Sequence, residues 1–192
     1  MIHTCLLSED AKTYLCCFYQ TLDGMVQEMT TTGLTQSISH NFIVQMIPRH
    51  RAAIRMSNNI LRFTEHKAVR CLAQQIVKDE AQGIGQMEEI LPVCGRLTNA
   101  QTDLRLYQRR MELICRQMYA QMNAAPESSA LAAVFLREML PHCRGAVLMA
   151  ENALKYDVSA ELVPILRATA AQQRRNAAQM RTLLSRMECR RG

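Results

Sequence analysis

The sequence predicts an all-α protein, an antiparallel helical bundle of ferritin-like type built from a duplicated three-helix unit, and three observations carry that expectation. Gly and Pro are sparse, Trp is absent and aromatic residues make up only 5%, whereas Ala, Leu, Met, Gln, Glu and Arg, which favour helices over sheets, abound. Of the 192 residues 48% are apolar, enough at this length for a real core. The chain also repeats itself, because residues 14–91 slide onto 107–184 without a gap. Tyr14 falls on Tyr107, Phe42 on Phe135, Pro48 on Pro141, Arg51 on Arg144, Asn59 on Asn152 and Gln86 on Gln179. Five methionine pairs coincide as well: Met25 with Met118, Met29 with Met122, Met46 with Met139, Met56 with Met149 and Met87 with Met180. Chance rarely brings so uncommon a residue into register.

Each repeat reads as three helices. The first runs from Ser8, a suitable N-cap, to the TTTG stretch. The second spans about 38–62, and the third about 65–91 with Thr64 as its cap. LPVCGRLTNA, with its Pro and Gly, reads as the link between repeats. The fourth helix starts near Thr98 or Asn99, with Gln101 placed to complete a capping box, the fifth spans about 128–155, and the sixth spans about 159–188 from Ser159. Three amphipathic helices cannot bury their stripes alone. The expectation is one domain over 1–192, made of repeats 8–91 and 99–188 related by a pseudo-twofold axis.

Several function classes recede at once. The opening MIHTCLLSEDAKTYLCC lacks the basic start, continuous apolar stretch and small-residue cleavage site of an export signal, and no segment reaches membrane-spanning length. A cytoplasmic location without membrane contact is expected. Eight cysteines (Cys5, Cys16, Cys17, Cys71, Cys94, Cys115, Cys143, Cys189) show no CxxC spacing, so neither a zinc knuckle nor a dithiol redox pair is signalled, and reduced thiols are expected. The net charge of +6, with Arg174, Arg175, Arg181, Arg186, Arg190 and Arg191 clustered late, permits attraction to polyanions. Without a helix-turn-helix pattern, aromatic-interleaved basic strand or Gly-rich loop, nucleic acid is not the expected partner.

The two segments MIPRHRAAIRM (46–56) and MLPHCRGAVLM (139–149) carry what chemistry the chain offers. At about 100° per residue, Phe42, Met46, His50, Ala53, Met56 and Ile60 share one inward stripe. The second copy aligns Phe135, Met139, His142, Cys143, Ala146, Met149 and Ala153, and Ala53, Ala146 and Gly145 let a neighbouring helix approach closely. Pro48 and Pro141 either sit inside their helices, leaving the carbonyls of Val44 and Arg137 without a donor, or occupy a tolerated first turn. Thioether, thiol and imidazole are the ligand set of Cu(I), whereas hard ions want carboxylates that this stripe lacks. The competing reading is that Met fills gaps in a helical core and each His is a hydrogen-bonded core residue.

The pattern F-x-x-x-M-I-P-x-H-x-x-A-x-x-M over Phe42 to Met56, followed by LAQQIVKDEAQGIGQMEEIL (72–91), resembles the ferritin-like helical family catalogued as domain of unknown function three-hundred-and-five. Both halves resemble it. The family signature has a Pro-His-His centre, and some members resemble copper-binding or copper-tolerance proteins that use its His and Met. The resemblance implies Met46, His50 and Met56 as ligands in the first copy and Met139, His142 and Met149 in the second. This chain departs from the paired His twice, with Arg49 in place of the first and Cys143 in place of the second. Arg49 sets a cation beside a cation site, whereas Cys143 can serve as a soft ligand.

Catalysis is not expected. A di-iron centre needs Glu-x-x-His pairs, but Glu138 and His142 are four apart, and Glu80, Glu88 and Glu89 have no histidine at three. Adjacent His142 and Cys143 point about 100° apart, and no H-E-x-x-H segment occurs. Two readings stay open. One is soft-metal binding, Cu(I) foremost, through Met46, His50, Met56, Met139, His142, Cys143 and Met149. The other is a helical scaffold or interaction module, homodimeric through a Met-rich face, whose motif only packs the core.

Overall fold

The computed structural model describes residues 7–125 and 128–189; Cys5, Arg190 and Arg191 lie outside the described residues. The described residues form six helices and no strand: α1 (Glu9–Thr31), α2 (Ile38–Leu61), α3 (Lys67–Cys94), α4 (Gln101–Asn123), α5 (Leu131–Ala153) and α6 (Leu162–Cys189).

Helix α1 begins where the Ser8 hydroxyl accepts from the amide of Ala11, with Glu9 and Asp10 in the favourable first turn. It buries Ala11, Tyr14, Phe18, Leu22, Met25 and Met29 at helical spacing, and α4 repeats the stripe with Leu104, Tyr107, Met111, Ile114, Met118 and Met122. Helices α2 and α5 are buried on nearly every side, as central helices must be, and each packs between its own repeat's outer helices. Each helix also meets its counterpart: α1 packs on α4, α2 on α5 and α3 on α6. Pro48 and Pro141 lie well inside α2 and α5, so the first-turn alternative does not apply.

The starts and stops differ from expectation where tertiary partners intervene. Helix α3 continues through Pro92 to Cys94, because a proline in the last turn deprives only one exposed residue's carbonyl, that of Glu88, of its donor. Its cap is His66, whose Nδ1 accepts from Val69 N at 3.4 Å, while the Thr64 hydroxyl accepts from His66 N. Helix α4 starts after Ala100 with no side-chain cap. Asn99 is used elsewhere: its Oδ1 accepts from Ile38 N at 2.8 Å, at the start of α2, and its Nδ2 donates to Asp157 O at 2.6 Å. Ser159 likewise leaves the cap position, its amide donating to Ser39 Oγ and its hydroxyl meeting Cys94 Sγ, so α6 begins at Leu162. One asparagine and one serine thus join the ends of both repeats.

Candidate functional site

The α2 and α5 seams meet between the two repeats, and side chains that pair across the repeats are often counterparts of one another. Arg49 on α2 is fully buried, and its Nη2 donates to the carbonyl of His142, the residue 93 positions on that occupies its own place in the second repeat. Its Nη1 approaches Met46 Sδ at 3.9 Å. Glu80 on α3 accepts through Oε1 from Nε2 of Gln173, again its own counterpart, at 2.6 Å. Asp79 and Gln172 repeat the pattern one residue earlier, at 2.7 Å. His50 links the two pairs. Its Nδ1 lies 3.1 Å from the Met46 carbonyl, which can only accept, and its Nε2 lies 3.2 Å from Glu80 Oε2.

Burial sets the charges of this cluster. It pushes the Arg49 guanidinium down from its ordinary range, opposed chiefly by the Glu80 carboxylate. It also lowers His50, with Arg49 adding to the effect and Glu80 and the Met46 carbonyl working against it. His142 is held well below the ordinary imidazole range by burial and by the cation of Arg49, and neither of its ring nitrogens has a hydrogen-bond partner among the described residues. The Cys143 thiol is pushed up to about 12, again by burial first. The result is one buried cation beside a neutral imidazole at His142 and a neutral thiol at Cys143, with His50 held between the Met46 carbonyl and the Glu80 carboxylate. A cavity of about 400 Å³ between α3 and α6 reaches His50 and Glu80.

A second pair across the repeats lies along the same seam. The Tyr14 hydroxyl of α1 donates to Glu138 Oε2 on α5, and its counterpart Tyr107 on α4 reaches Gln45 Oε1 on α2 at 3.5 Å. Asn59 and Asn152 anchor the tyrosines by donating to the carbonyls of Tyr14 and Tyr107 at 2.9 and 3.1 Å. Burial raises the Glu138 carboxyl to about 8, although the bond from Tyr14 pulls it back.

All seven residues expected as soft ligands are therefore in the buried seam: Met46, His50, Met56, Met139, His142, Cys143 and Met149. Arg49 stands among them. Among the described residues no group of three or more His, Cys, Asp or Glu side chains is placed to hold a metal, and a guanidinium among the expected donors disfavours a second cation beside it. Every described methionine except Met187 is enclosed in the core. From sequence, Arg49 reads only as a disturbance, Glu80 and Glu138 are weighed only as di-iron ligands, and Gln173 and Gln45 are left aside. Their signal was present in the pattern, since Glu80 follows Val69, Leu72, Ala73 and Ile76 on an apolar stripe, where a carboxylate needs a partner.

A family model described as a domain of unknown function, DUF305, matches residues 20–91 and 39–184. Among solved structures, the crystal structure of a DUF305 fragment from Deinococcus radiodurans is similar, with a TM-score of 0.57 and 23% identity over 78% of this chain and 96% of that one. At that identity the likeness concerns the fold alone. No curated protein matches.

Proposed function

We propose, from the premise that the chain belongs to the DUF305 family, that it is a non-catalytic helical scaffold in which the duplicated motif serves to lock the two repeats together. The observation that carries this reading is Arg49, which fills the seam with the protein's own cation and ties α2 to its counterpart's backbone at His142. A guanidinium with a fixed fork specifies register and partner more sharply than apolar contact does. The absence of catalytic use is supported by the Cys143 thiol, which burial keeps protonated and hence a poor nucleophile. A cytoplasmic setting is supported by the seven described cysteines, all unpaired, as a reducing compartment keeps them. No helix of the described residues is long and apolar enough to cross a membrane.

Soft-metal binding is the second reading, and one observation favours it: both ring nitrogens of His142 lack a partner, beside the thiol of Cys143. It narrows to the second repeat, with Met139 and Met149 as the remaining donors, and requires Arg49 to move aside. Titration of the reduced protein with Cu(I) against a chromophoric chelator separates the two. The scaffold reading expects no stoichiometric competition. A one-to-one site that disappears when Met139, His142, Cys143 and Met149 are replaced would establish the other.

A further inference from the structure

The groove flanking Cys143 differs in charge from its counterpart in the first repeat. On the first repeat's surface Arg51 of α2 reaches Glu88 of α3 at 3.3 Å, an ion pair that neutralises both. The same two places in the second repeat hold Arg144 of α5 and Arg181 of α6. Two cations stand where the fold elsewhere places opposite charges, and neither has an acidic partner among the described residues. Both line a cavity of about 610 Å³ between α5 and α6, and Arg137 and Arg174 line it too. Those two are already compensated, Arg137 by Glu188 at 2.9 Å and Arg174 by Glu151. The counterparts of Arg137 and Arg174 are Val44 and Ala81, so the concentration of positive charge is a property of the second repeat alone.

We propose that this groove binds a phosphorylated small molecule, a phosphomonoester whose dianion bridges Arg144 and Arg181. Two unpaired guanidinium forks lining one cavity supply the charge and the donors that one dianionic phosphate calls for. Leu140, Val147 and Ala177 give the groove an apolar wall for the organic part. Gln173 also lines the groove, and its buried Oε1 has no partner, an acceptor suited to a hydroxyl of the ligand. A concave cavity with only two uncompensated arginines favours a small ester over a nucleic-acid backbone, which would need a longer basic track.

Calorimetric titration of the full chain with glucose 6-phosphate, inorganic phosphate and glucose, at low and high salt, tests this. Saturable one-to-one binding of the ester, weaker binding of inorganic phosphate, none of glucose, and weakening by salt are the expected results. Arg181→Glu rebuilds the ion pair of the first repeat in a frame that accommodates it there. It should weaken ester binding at least about tenfold, a loss of about 1.4 kcal/mol, while the melting temperature holds or rises. Arg144→Gln should weaken the ester to a similar degree by an independent route. The proposal is overturned if the wild type binds no phosphate probe, if both variants bind like the wild type, if inorganic phosphate binds as tightly as the ester, or if only a short DNA duplex binds.

Discussion

A fully buried arginine is costly unless something in the fold answers its charge, and here the answer comes from residues that sequence separates widely. Arg49 is sustained by the Glu80 carboxylate and the His142 carbonyl. Removing it alone leaves the buried Glu80 carboxylate with only His50 and an amide for company, so Arg49→Met should destabilise the fold by about 3–5 kcal/mol. Changing Glu80 to the Gln that the second repeat carries at Gln173 removes the charge that Arg49 balances. The double variant Arg49→Met/Glu80→Gln should recover much of the loss, with a coupling of about 1–3 kcal/mol in a urea-denaturation cycle. Additive effects would show that the two charges do not sense each other. Glu138 supplies a second residue-level consequence. Its folded carboxyl holds a proton up to about 8, whereas the unfolded one releases it near 4.5. Between those values the native state binds more protons, so this residue's contribution to stability is full below 4.5 and fades as pH rises to about 8. Glu138→Gln, with Gln45 as its natural counterpart, should flatten that slope, and its advantage over the wild type should grow by about 1.4 kcal/mol per pH unit across the window at most. His142 works in the opposite sense below 6.5, where a depressed imidazole costs stability as pH falls, but it is common to both proteins and cancels in the difference. Chemical denaturation of the pair at several pH values reads the result.

Helix positions and faces were legible because apolar side chains recur at helical spacing, and the 93-residue register correctly brought α2 and α5 together as counterparts. Cap residues were legible only where the cap acts locally. Ser8 caps its own helix, but Asn99 and Ser159 hydrogen-bond across the repeats, which no local pattern announces. The partners of Glu80 and Glu138 were hidden for the same reason, being fixed by how α3 meets α6 and how α1 crosses α5. Small-residue spacing did foretell close approach at Gly145. A Cβ added there would lie 2.6 Å from Sδ and 3.0 Å from Cγ of buried Met118, so α4 and α5 touch where a side chain does not fit. Ala52 holds the corresponding place in the first repeat. Gly145→Ala should therefore lose about 1–3 kcal/mol to overpacking despite a helix-propensity gain of about 1. Ala52→Gly should lose only about the propensity difference, and thermal unfolding of both variants compares them.

At the level of the whole molecule, each repeat presents its most buried helix to the other. The α2 and α5 seams, the tyrosine pairs, the Arg49 contact and the Asn99 and Ser159 bridges all cross between repeats, so the polar groups that would be stranded by separation are numerous. A segment of residues 98–192 alone would expose the apolar face of α5 with His142 and Cys143, leave Tyr107 without Gln45, and lack Arg49 altogether. A bundle of three helices with its central helix bared is short of core. The isolated segment should show no cooperative melting as a monomer at micromolar concentration. Mixing it with residues 1–97 should restore helicity and a cooperative transition whose midpoint rises with concentration, as mass action requires of a two-part fold. Arg49→Met in the first piece should weaken that reconstitution more than it weakens the intact chain, since the linker no longer holds the seams together while the charge contact is lost. A segment 98–192 that melts cooperatively as a monomer would show that each repeat is self-sufficient and that the seam is an interface between two finished units.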